Sequence, residues 1–223
     1  MGKNHNLAFL HAEGEICLLA DDDVVYADDM EQRILGEFEA HPDADLIIFH
    51  FTSDDPTRPQ GNYTKTKRVR PWHLKKIAEE CHFPSTAAFR IAFRLSAAKK
   101  ANLWFTTLYG GGCVFPSGED SMWLHDARKK GLRMYVSKET IGKVSYESSS
   151  WFTGYDEKYF YGKGAYHASV HPHSVWFWKQ YARLRFRNFG TMSQKEKMKW
   201  FSNGAKGYRD MLSYKAFKEK YHS

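Results

Sequence analysis

Length, composition and charge restrict the class of protein to which this sequence belongs. With 223 residues, 42% of them hydrophobic and 16% aromatic, the chain can bury one sizeable core, and this content argues against disorder. A mean hydropathy of −0.63 and short apolar runs argue against a membrane span. The three cysteines, Cys17, Cys81 and Cys113, cannot all pair and match no zinc motif, and no secretory signal opens the chain. We therefore expect a protein of the reducing cytoplasm.

The net charge of +7 is distributed unevenly along the chain. Between Glu13 and Asp55 there are fourteen acids and one base, Arg33, so the remainder carries an excess of +20. Residues 151–223 alone contain fourteen Lys or Arg, five Asp or Glu, and many aromatics. Such a surface attracts phosphates on nucleotides, nucleic acids or anionic lipids. Because no recognised nucleic-acid module accompanies the charge, we do not expect a nucleic-acid partner.

Apolar periodicity and turn residues predict alternating helices and strands in the first half of the chain. The predicted elements are, in chain order, a helix at 6–12, a strand at 15–20, a helix at 28–40, a strand at 44–51, a loop at 52–70, a helix at 71–80, a strand at 87–93 and a helix at 96–102. Asp28 is the expected N-cap of the second helix, with Glu31 at capping-box spacing. The strand, helix and strand at 15–51 predict a βαβ unit whose two strands are buried, parallel neighbours.

The second half is predicted to be mainly helical. A helix begins at Glu119 and ends at Gly131; it is followed by strands at 133–136 and 141–146 and by helices near 156–168, 174–187, 193–203 and 207–220. The preceding run of Gly110, Gly111 and Gly112 permits positive φ and close approach of the backbone to a ligand, but it is equally compatible with a plain flexible loop. We expect a core over residues 1–150 and a helical, basic and aromatic region over residues 151–223.

Three consecutive aspartates, Asp21, Asp22 and Asp23, follow the first predicted strand. The carboxyl ends of strands are where open α/β sheets bind ligands. Three adjacent like charges are relieved by solvation, by a shared proton or by a hard cation such as Mg²⁺ or Mn²⁺. The triplet alone therefore leaves both a solvated turn and a metal site open. An EF-hand is excluded, because Tyr26 and Gln32 stand where its glycine and glutamate are required.

A second acidic pair, Glu119 and Asp120, lies at a predicted helix start beside Gly118. Carboxylates at this position cap the helix and are stabilised by its dipole, so a structural role is the simpler interpretation. The triplet about a hundred residues earlier adds a second possibility. Together the two sites have the layout of a metal-held diphosphate leaving group opposed by a general base.

These motifs carry a family resemblance. The stretch from Asn6 to Tyr26, Phe105, the run Gly110–Gly112 and the sequence Gly118-Glu119-Asp120-Ser121 resemble family 2 glycosyltransferases of the GT-A fold, over about residues 4–170. The resemblance implies an α/β, Rossmann-like mixed sheet flanked by helices. It also implies inverting transfer of a sugar from a nucleotide-sugar donor to a glycan or lipid-linked acceptor.

The resemblance assigns roles to the triplet and to the acidic pair. Asp22 would face the nucleotide, and Asp23, with Asp22 beside it, would hold Mg²⁺ or Mn²⁺ against the diphosphate. Asp21 would support either role, because a triplet leaves the register open by one residue. Asp120 would be the general base and Glu119 would orient the acceptor or the base. Gly111 and Gly112 would approach the donor sugar or the acceptor.

Two departures from the family pattern accompany the resemblance. GT-A enzymes build the nucleotide pocket from about 60 upstream residues, whereas about fifteen precede the acidic strand here. The expected core is therefore N-terminally shortened, with an exposed sheet edge that a homodimer would cover. Tyr146 also stands where relatives often carry a metal-binding histidine, for which His171 and His173 are alternatives. A non-catalytic remnant acting in binding or assembly remains an alternative, as does, more distantly, a metal-dependent phosphodiesterase.

Aromatic and basic residues alternate at helical spacing near residue 180. They are Trp176, Phe177, Trp178, Lys179, Arg183, Arg185 and Arg187. The pattern fits a helix on a membrane surface, which would agree with a lipid-linked acceptor and a place at the inner face of the membrane. It fits equally well a helix whose aromatics pack on the folded domain while its arginines remain solvated.

Overall fold

A computed structural model describes residues 2–21, 24–53, 65–69, 87–144 and 154–221. The chain forms two compact units. Residues 5–104 and 123–149 make up one, called here the sheet unit, and residues 1–4, 105–122 and 150–223 make up the other, the helical unit. The segment 105–122 thus belongs with the C-terminal helices. The predicted helix at 71–80 lies outside the described residues.

The described elements up to residue 144 are a mixture of helices and strands, as the sequence predicts, although they do not strictly alternate. In chain order they are α1 (Gly2–His11), β1 (Ile16–Leu18), β2 (Val24–Tyr26), α2 (Met30–Ala40), β3 (Leu46–Ser53), β4 (Lys67–Arg68), a 3₁₀ turn (Ala88–Arg90), β5 (Ile91–Arg94), α3 (Leu95–Lys100), α4 (Glu119–Lys129) and β6 (Met134–Val144). Gly131 ends the turn after α4 at φ +84°, as predicted. The sequence did not predict β2, which is only three residues long.

The sheet has the order β1-β5-β3-β6-β2, with β4 paired to β6. β3 and β6 are parallel, and the other pairs are antiparallel. β1 and β3 therefore run in the same direction but are not neighbours, so the predicted βαβ pairing is wrong. The reason is β5, whose residues Ile91, Ala92 and Phe93 are fully buried and bond to a strand on either side. β1 is only partly buried and pairs antiparallel, so the expectation of a buried parallel strand fails as well.

β3 provides the centre of the sheet unit. Leu46, Ile47, Ile48 and Phe49 are all buried, as expected of a strand that is covered on both faces. α2 packs against the sheet through Ile34 and Phe38, which belong to the same buried cluster. The predicted helix and strand at 28–51 are thus confirmed.

Two local predictions in the sheet unit are wrong. The expected capping box at Asp28 is absent, because α2 starts one residue later and its N-cap, Asp29, bonds Arg33 (2.8 and 2.9 Å) rather than a backbone amide. The two short strands predicted after Gly131 are one strand, β6. Register shifts against β3 near His50 accommodate the additional residues of β6 between Val136 and Thr140.

The helical unit consists mainly of α5 (Glu157–Val170), α6 (Val175–Arg185), α7 (Gln194–Arg209) and α8 (Tyr214–Tyr221). These confirm the four predicted helices, with α7 ending six residues later than expected and α8 beginning later. α5 and α7 approach each other closely at Gly164 and Gly204. A Cβ at Gly164 would overlap the carbonyl of Phe201, and a Cβ at Gly204 would overlap the carbonyl of Tyr161. Backbone therefore packs directly on backbone at this crossing.

Gly164→Ala should destabilise the helical unit by about 3 kcal/mol, because neither backbone can yield to the added methyl group. Gly36→Ala is the matched control, since Gly36 is also helical but a Cβ there meets nothing within 4 Å. That change should stabilise the protein by about 0.5–1 kcal/mol through helix propensity. Denaturant unfolding of both variants measures the difference, and equal stabilities would contradict the close helix contact.

Asp45 ties the start of β3 to the start of β6. Its carboxylate accepts from the amide (2.8 Å), Nε (3.0 Å) and Nη2 (3.0 Å) of Arg133. Partial burial by itself would raise the pKa of Asp45, but the hydrogen bonds and charge of Arg133 outweigh it and lower the pKa.

A carboxylate with a lowered folded-state pKa contributes stability above its unfolded pKa, near 4, and loses it as the pH falls through the folded value. Because Arg133 is half-exposed, the ion pair is partly screened by solvent, and Asp45→Asn should cost about 1 kcal/mol at neutral pH. Below about pH 4 the cost should be smaller. Denaturant unfolding across this range measures the loss. Asp28→Asn, at an exposed position without a described hydrogen bond, should cost nothing measurable. A pH-independent loss for Asp45→Asn would exclude this explanation.

Candidate functional site

The aspartate triplet lies in the segment that joins β1 to β2, the strands at opposite ends of the sheet order. The Leu19 amide still donates to the Ile91 carbonyl (3.0 Å), one residue beyond β1. β2 then begins at Val24, opposite Val144 at the carboxyl end of β6. Asp21 is half-buried and lies just beyond the carboxyl end of β1. Open α/β sheets bind ligands at the carboxyl ends of their strands. Asp22 and Asp23 lie outside the described residues, so their ligand roles stay predictions.

The glycine run forms a hydrogen-bonded loop in the helical unit. The Gly110 amide donates to the Phe115 carbonyl (3.0 Å), and the Phe115 amide donates to the Leu108 carbonyl (2.8 Å). The Cys113 amide closes the turn by donating to the Gly110 carbonyl (3.1 Å). Gly110 and Gly112 have φ values of +110° and +77°, which glycine adopts without strain. The run therefore forms a hydrogen-bonded turn with positive φ at two of its glycines, and its approach to a ligand stays a prediction.

The carboxylate of Glu119 packs against Gly110. A Cβ added at Gly110 would lie 2.8 Å from the carboxyl carbon of Glu119 and 2.9 and 3.0 Å from its oxygens. Only 8% of Glu119 is exposed. Gly110 is therefore required for two reasons: its φ is positive, and the carboxylate occupies the space of a side chain.

Asp120 is the next residue of α4 and has a different environment. It is half-buried, whereas Glu119 is buried. Successive helical residues point about 100° apart, so the two carboxylates face different directions. Both lie in the first turn of the helix, where the dipole and the free amides favour a negative charge. Asp120 is thus the more accessible member of the pair.

Gly118 sets the start of α4. It has a φ of +111°, and its carbonyl accepts from the Met122 amide (2.9 Å). A Cβ at Gly118 would come within 3.4 Å of the Tyr109 ring and 3.8 Å of the Tyr166 ring. The predicted sequence Gly118-Glu119-Asp120 therefore begins a helix, as expected, and it does so between aromatic rings.

Residues that the sequence analysis did not single out support this loop. A Cβ at Gly162 of α5 would lie 2.8 Å from Ser117 Oγ, so the loop rests directly on the helix backbone. Tyr109 is buried, its ring packs 4.9 Å from that of Phe115, and burial raises the pKa of its hydroxyl. The two glycines in the sequence Gly162-Lys163-Gly164 could have indicated this close packing before the structure was known.

The sheet unit contains a buried polar pair that the sequence analysis also missed. His50 of β3 is buried, and its Nδ1 lies 3.4 Å from Nη2 of Arg90. Arg90 Nε donates to the Phe49 carbonyl (2.9 Å). Burial, assisted by the charge of Arg90, lowers the pKa of His50 to about 4. The imidazole is therefore neutral near pH 7.

Within the described ranges, no group of three or more His, Cys, Asp or Glu side chains is placed to hold a metal ion. His171, one of the alternative ligands considered from the sequence, stacks on Trp178 at 4.6 Å, and His173 is exposed. Tyr146 lies outside the described residues. The hypothesis of a metal site therefore depends on the aspartate triplet.

Comparison with known proteins identifies the fold. No family model matches the chain, and no curated protein matches it. Among solved structures, 96% of the chain aligns with residues 1–349 of S. aureus TarS, a staphylococcal glycosyltransferase, in complex with UDP-GlcNAc, covering 73% of that chain with a TM-score of 0.57 and 13% identity. The corresponding complex with UDP gives 72% coverage, a TM-score of 0.53 and 14% identity.

A longer TarS structure aligns over 37% of its length, with a TM-score of 0.57 and 15% identity. At these identities the similarity concerns the fold: an α/β architecture with a mixed sheet flanked by helices, like that of the TarS structures. This confirms the predicted fold class.

Gly110→Ala should destabilise the protein by about 2 kcal/mol more than Gly112→Ala. Both changes place alanine at positive φ, at a cost of about 1 kcal/mol, but only Gly110→Ala also collides with a buried carboxylate. A Cβ at Gly112 meets nothing within 4 Å. In a Glu119→Ala background the excess should disappear, as a double-mutant cycle of unfolding free energies can measure. Equal costs in both backgrounds would contradict the Gly110–Glu119 contact.

Proposed function

We propose that this protein is a glycosyltransferase of family 2 and GT-A type that transfers a sugar from a UDP-linked donor to a hydroxyl of a glycan or lipid-linked acceptor. The fold similarity over 96% of the chain to TarS, which was crystallised with UDP and with UDP-GlcNAc, supports the choice of donor. The observation that carries the proposal is the glycine-lined position of Glu119 beside the more accessible Asp120 at the start of α4.

Asp120 is the proposed general base. Its carboxylate accepts the proton of the acceptor hydroxyl while that oxygen attacks the anomeric carbon from the face opposite the leaving group. The new carbon–oxygen bond forms as the bond to the nucleoside diphosphate breaks, and the configuration at the anomeric carbon inverts. Glu119 is the proposed positioning residue, because its contact with Gly110 fixes the first turn of α4.

Asp21, Asp22 and Asp23 are the proposed donor site. A set of carboxylate ligands suits a hard cation, Mg²⁺ or Mn²⁺, which Asp23 and Asp22 would hold. Such an ion would neutralise charge on the departing diphosphate. Asp21 and Asp22 would contact the nucleotide. Gly111 and Gly112 would approach the sugar, and the open space where a Cβ of Gly112 would lie leaves room for it.

Calorimetric titration of UDP in the presence of Mn²⁺ tests the donor site. We expect saturable binding that chelation of Mn²⁺ abolishes and that Asp23→Asn weakens at least tenfold. Asp28→Asn removes one nearby charge without touching the triplet, and it should bind normally. Failure of this chain to bind any nucleoside diphosphate would exclude the enzymatic proposal and favour a role in binding or assembly.

Asp120→Asn separates catalysis from donor binding. Without a base, transfer should fall by a factor of about 10² to 10⁴, while the Kd for UDP with Mn²⁺ should stay within about twofold, because Asp120 is assigned to the acceptor side. Asp126→Asn makes the same charge change at a half-buried position of the same helix and should leave both quantities unchanged. Undiminished transfer in Asp120→Asn would remove this residue from the role of base.

A further inference from the structure

Helix α6 has one face fixed inside the helical unit. Trp178 and Ala182 are buried in a cluster with Met198 and Phe201 of α7. The Trp178 ring stacks on His171 at 4.6 Å and on His167 of α5 at 4.8 Å. This stacking fixes the rotation of α6 about its axis. The packing interpretation offered by the sequence therefore holds for Trp178.

The opposite face of α6 exposes large apolar side chains. Trp176 is 73% exposed, Leu184 76%, Phe177 45% and Tyr181 38%. At about 100° per residue these positions fall within an arc of about 140°, so they form one continuous ridge. Contiguous exposed apolar surface of this kind marks an interaction site rather than ordinary surface. We call these four residues the aromatic ridge.

Cations that have no ion-pair partner among the described residues accompany the aromatic ridge. Lys179, Arg183, Arg185 and Arg187 lie on or just after α6, and within the described part of the chain none of them forms an ion pair. Residues 158–195 contain seven Lys or Arg and no Asp or Glu. Such a stretch has no carboxylate of its own with which to neutralise these charges. The surface is therefore complementary to a dense array of anions.

We infer that the aromatic ridge and its cations dock this protein onto an anionic lipid bilayer, with α6 lying in the plane of the interface. Trp, Phe and Leu side chains enter the boundary between headgroups and acyl chains, while Lys and Arg contact lipid phosphates. A nucleic acid or an acidic polysaccharide would engage the cations but would leave exposed Leu184 without an apolar environment. No helix among the described residues is long and apolar enough to cross a membrane.

Co-sedimentation of the full chain with vesicles tests the inference. We expect binding to vesicles of phosphatidylglycerol and phosphatidylcholine in equal parts, little binding to phosphatidylcholine alone, and weakening by salt. Trp176→Ala with Leu184→Ala should lower partitioning at least tenfold. Arg183→Gln with Arg187→Gln should lower it about fivefold per charge removed.

Matched controls distinguish binding through this surface from non-specific adsorption to vesicles. Leu7→Ala with Leu10→Ala removes two leucines of α1 that are 57% and 61% exposed, and Lys3→Gln with Lys129→Gln removes two exposed charges elsewhere. Both control variants should bind vesicles normally. The affected residues are exposed, so circular dichroism should show unchanged folding in every variant.

Two results would overturn the inference. One is vesicle binding that is unaffected by the α6 substitutions, or is equally strong on phosphatidylcholine alone. The other is full competition by a single-stranded oligonucleotide or by heparin, with binding to that polymer lost in the arginine variant and retained in the Trp176→Ala, Leu184→Ala variant. Neither outcome bears on UDP binding or sugar transfer, so the inference stands or falls independently of the proposed function.

Discussion

Close approach of backbones at glycines determines the construction of the helical unit. α7 lies against α5 at Gly204 and Gly164. Two residues before Gly164, Gly162 makes room for Ser117 of the loop before α4, and that loop brings Gly110 against the Glu119 carboxylate. The position of the buried Glu119 carboxylate thus depends on a series of contacts that begins at a helix crossing whose two glycines lie 45 and 85 residues further along the chain. Each contact fails if a methyl group is added, so the arrangement tolerates little variation.

Acidic and basic residues are concentrated in different units of the chain. The acids between Glu13 and Asp55 belong to the sheet unit, whereas the acid-free stretch 158–195 belongs to the helical unit. The acidic segment includes the residues proposed to hold a cation and a diphosphate. The basic stretch instead presents cations next to exposed aromatic side chains. The proposed donor site and the proposed lipid-contacting surface thus belong to segments of opposite charge in the sequence.

The sequence was informative where local signals decide the structure. Periodic apolar residues correctly predicted α2, β3 and the four C-terminal helices, and Gly131 predicted the end of α4. Strand order could not be predicted in the same way, because β5 comes between β1 and β3 through pairing that no local pattern encodes. The contacts of Gly110 with Glu119 and of Gly162 with Ser117 join distant residues. For the acidic pair, the family resemblance supplied the proposed roles and the structure supplied the environment of each side chain.

The difference in burial between Glu119 and Asp120 agrees with the different roles that the family resemblance implies for the two carboxylates. A general base must take a proton from the acceptor and then release it to solvent before the next turnover. Glu119 is 8% exposed and lies against backbone at Gly110, so it reaches neither a bulky acceptor nor water easily. Asp120 points about 100° away from it around the same helix and is half-buried. Of the two carboxylates, Asp120 is therefore the one that an acceptor and solvent reach more readily. Exposure therefore supports the proposal that Asp120 is the general base and that Glu119 holds the start of the helix in place.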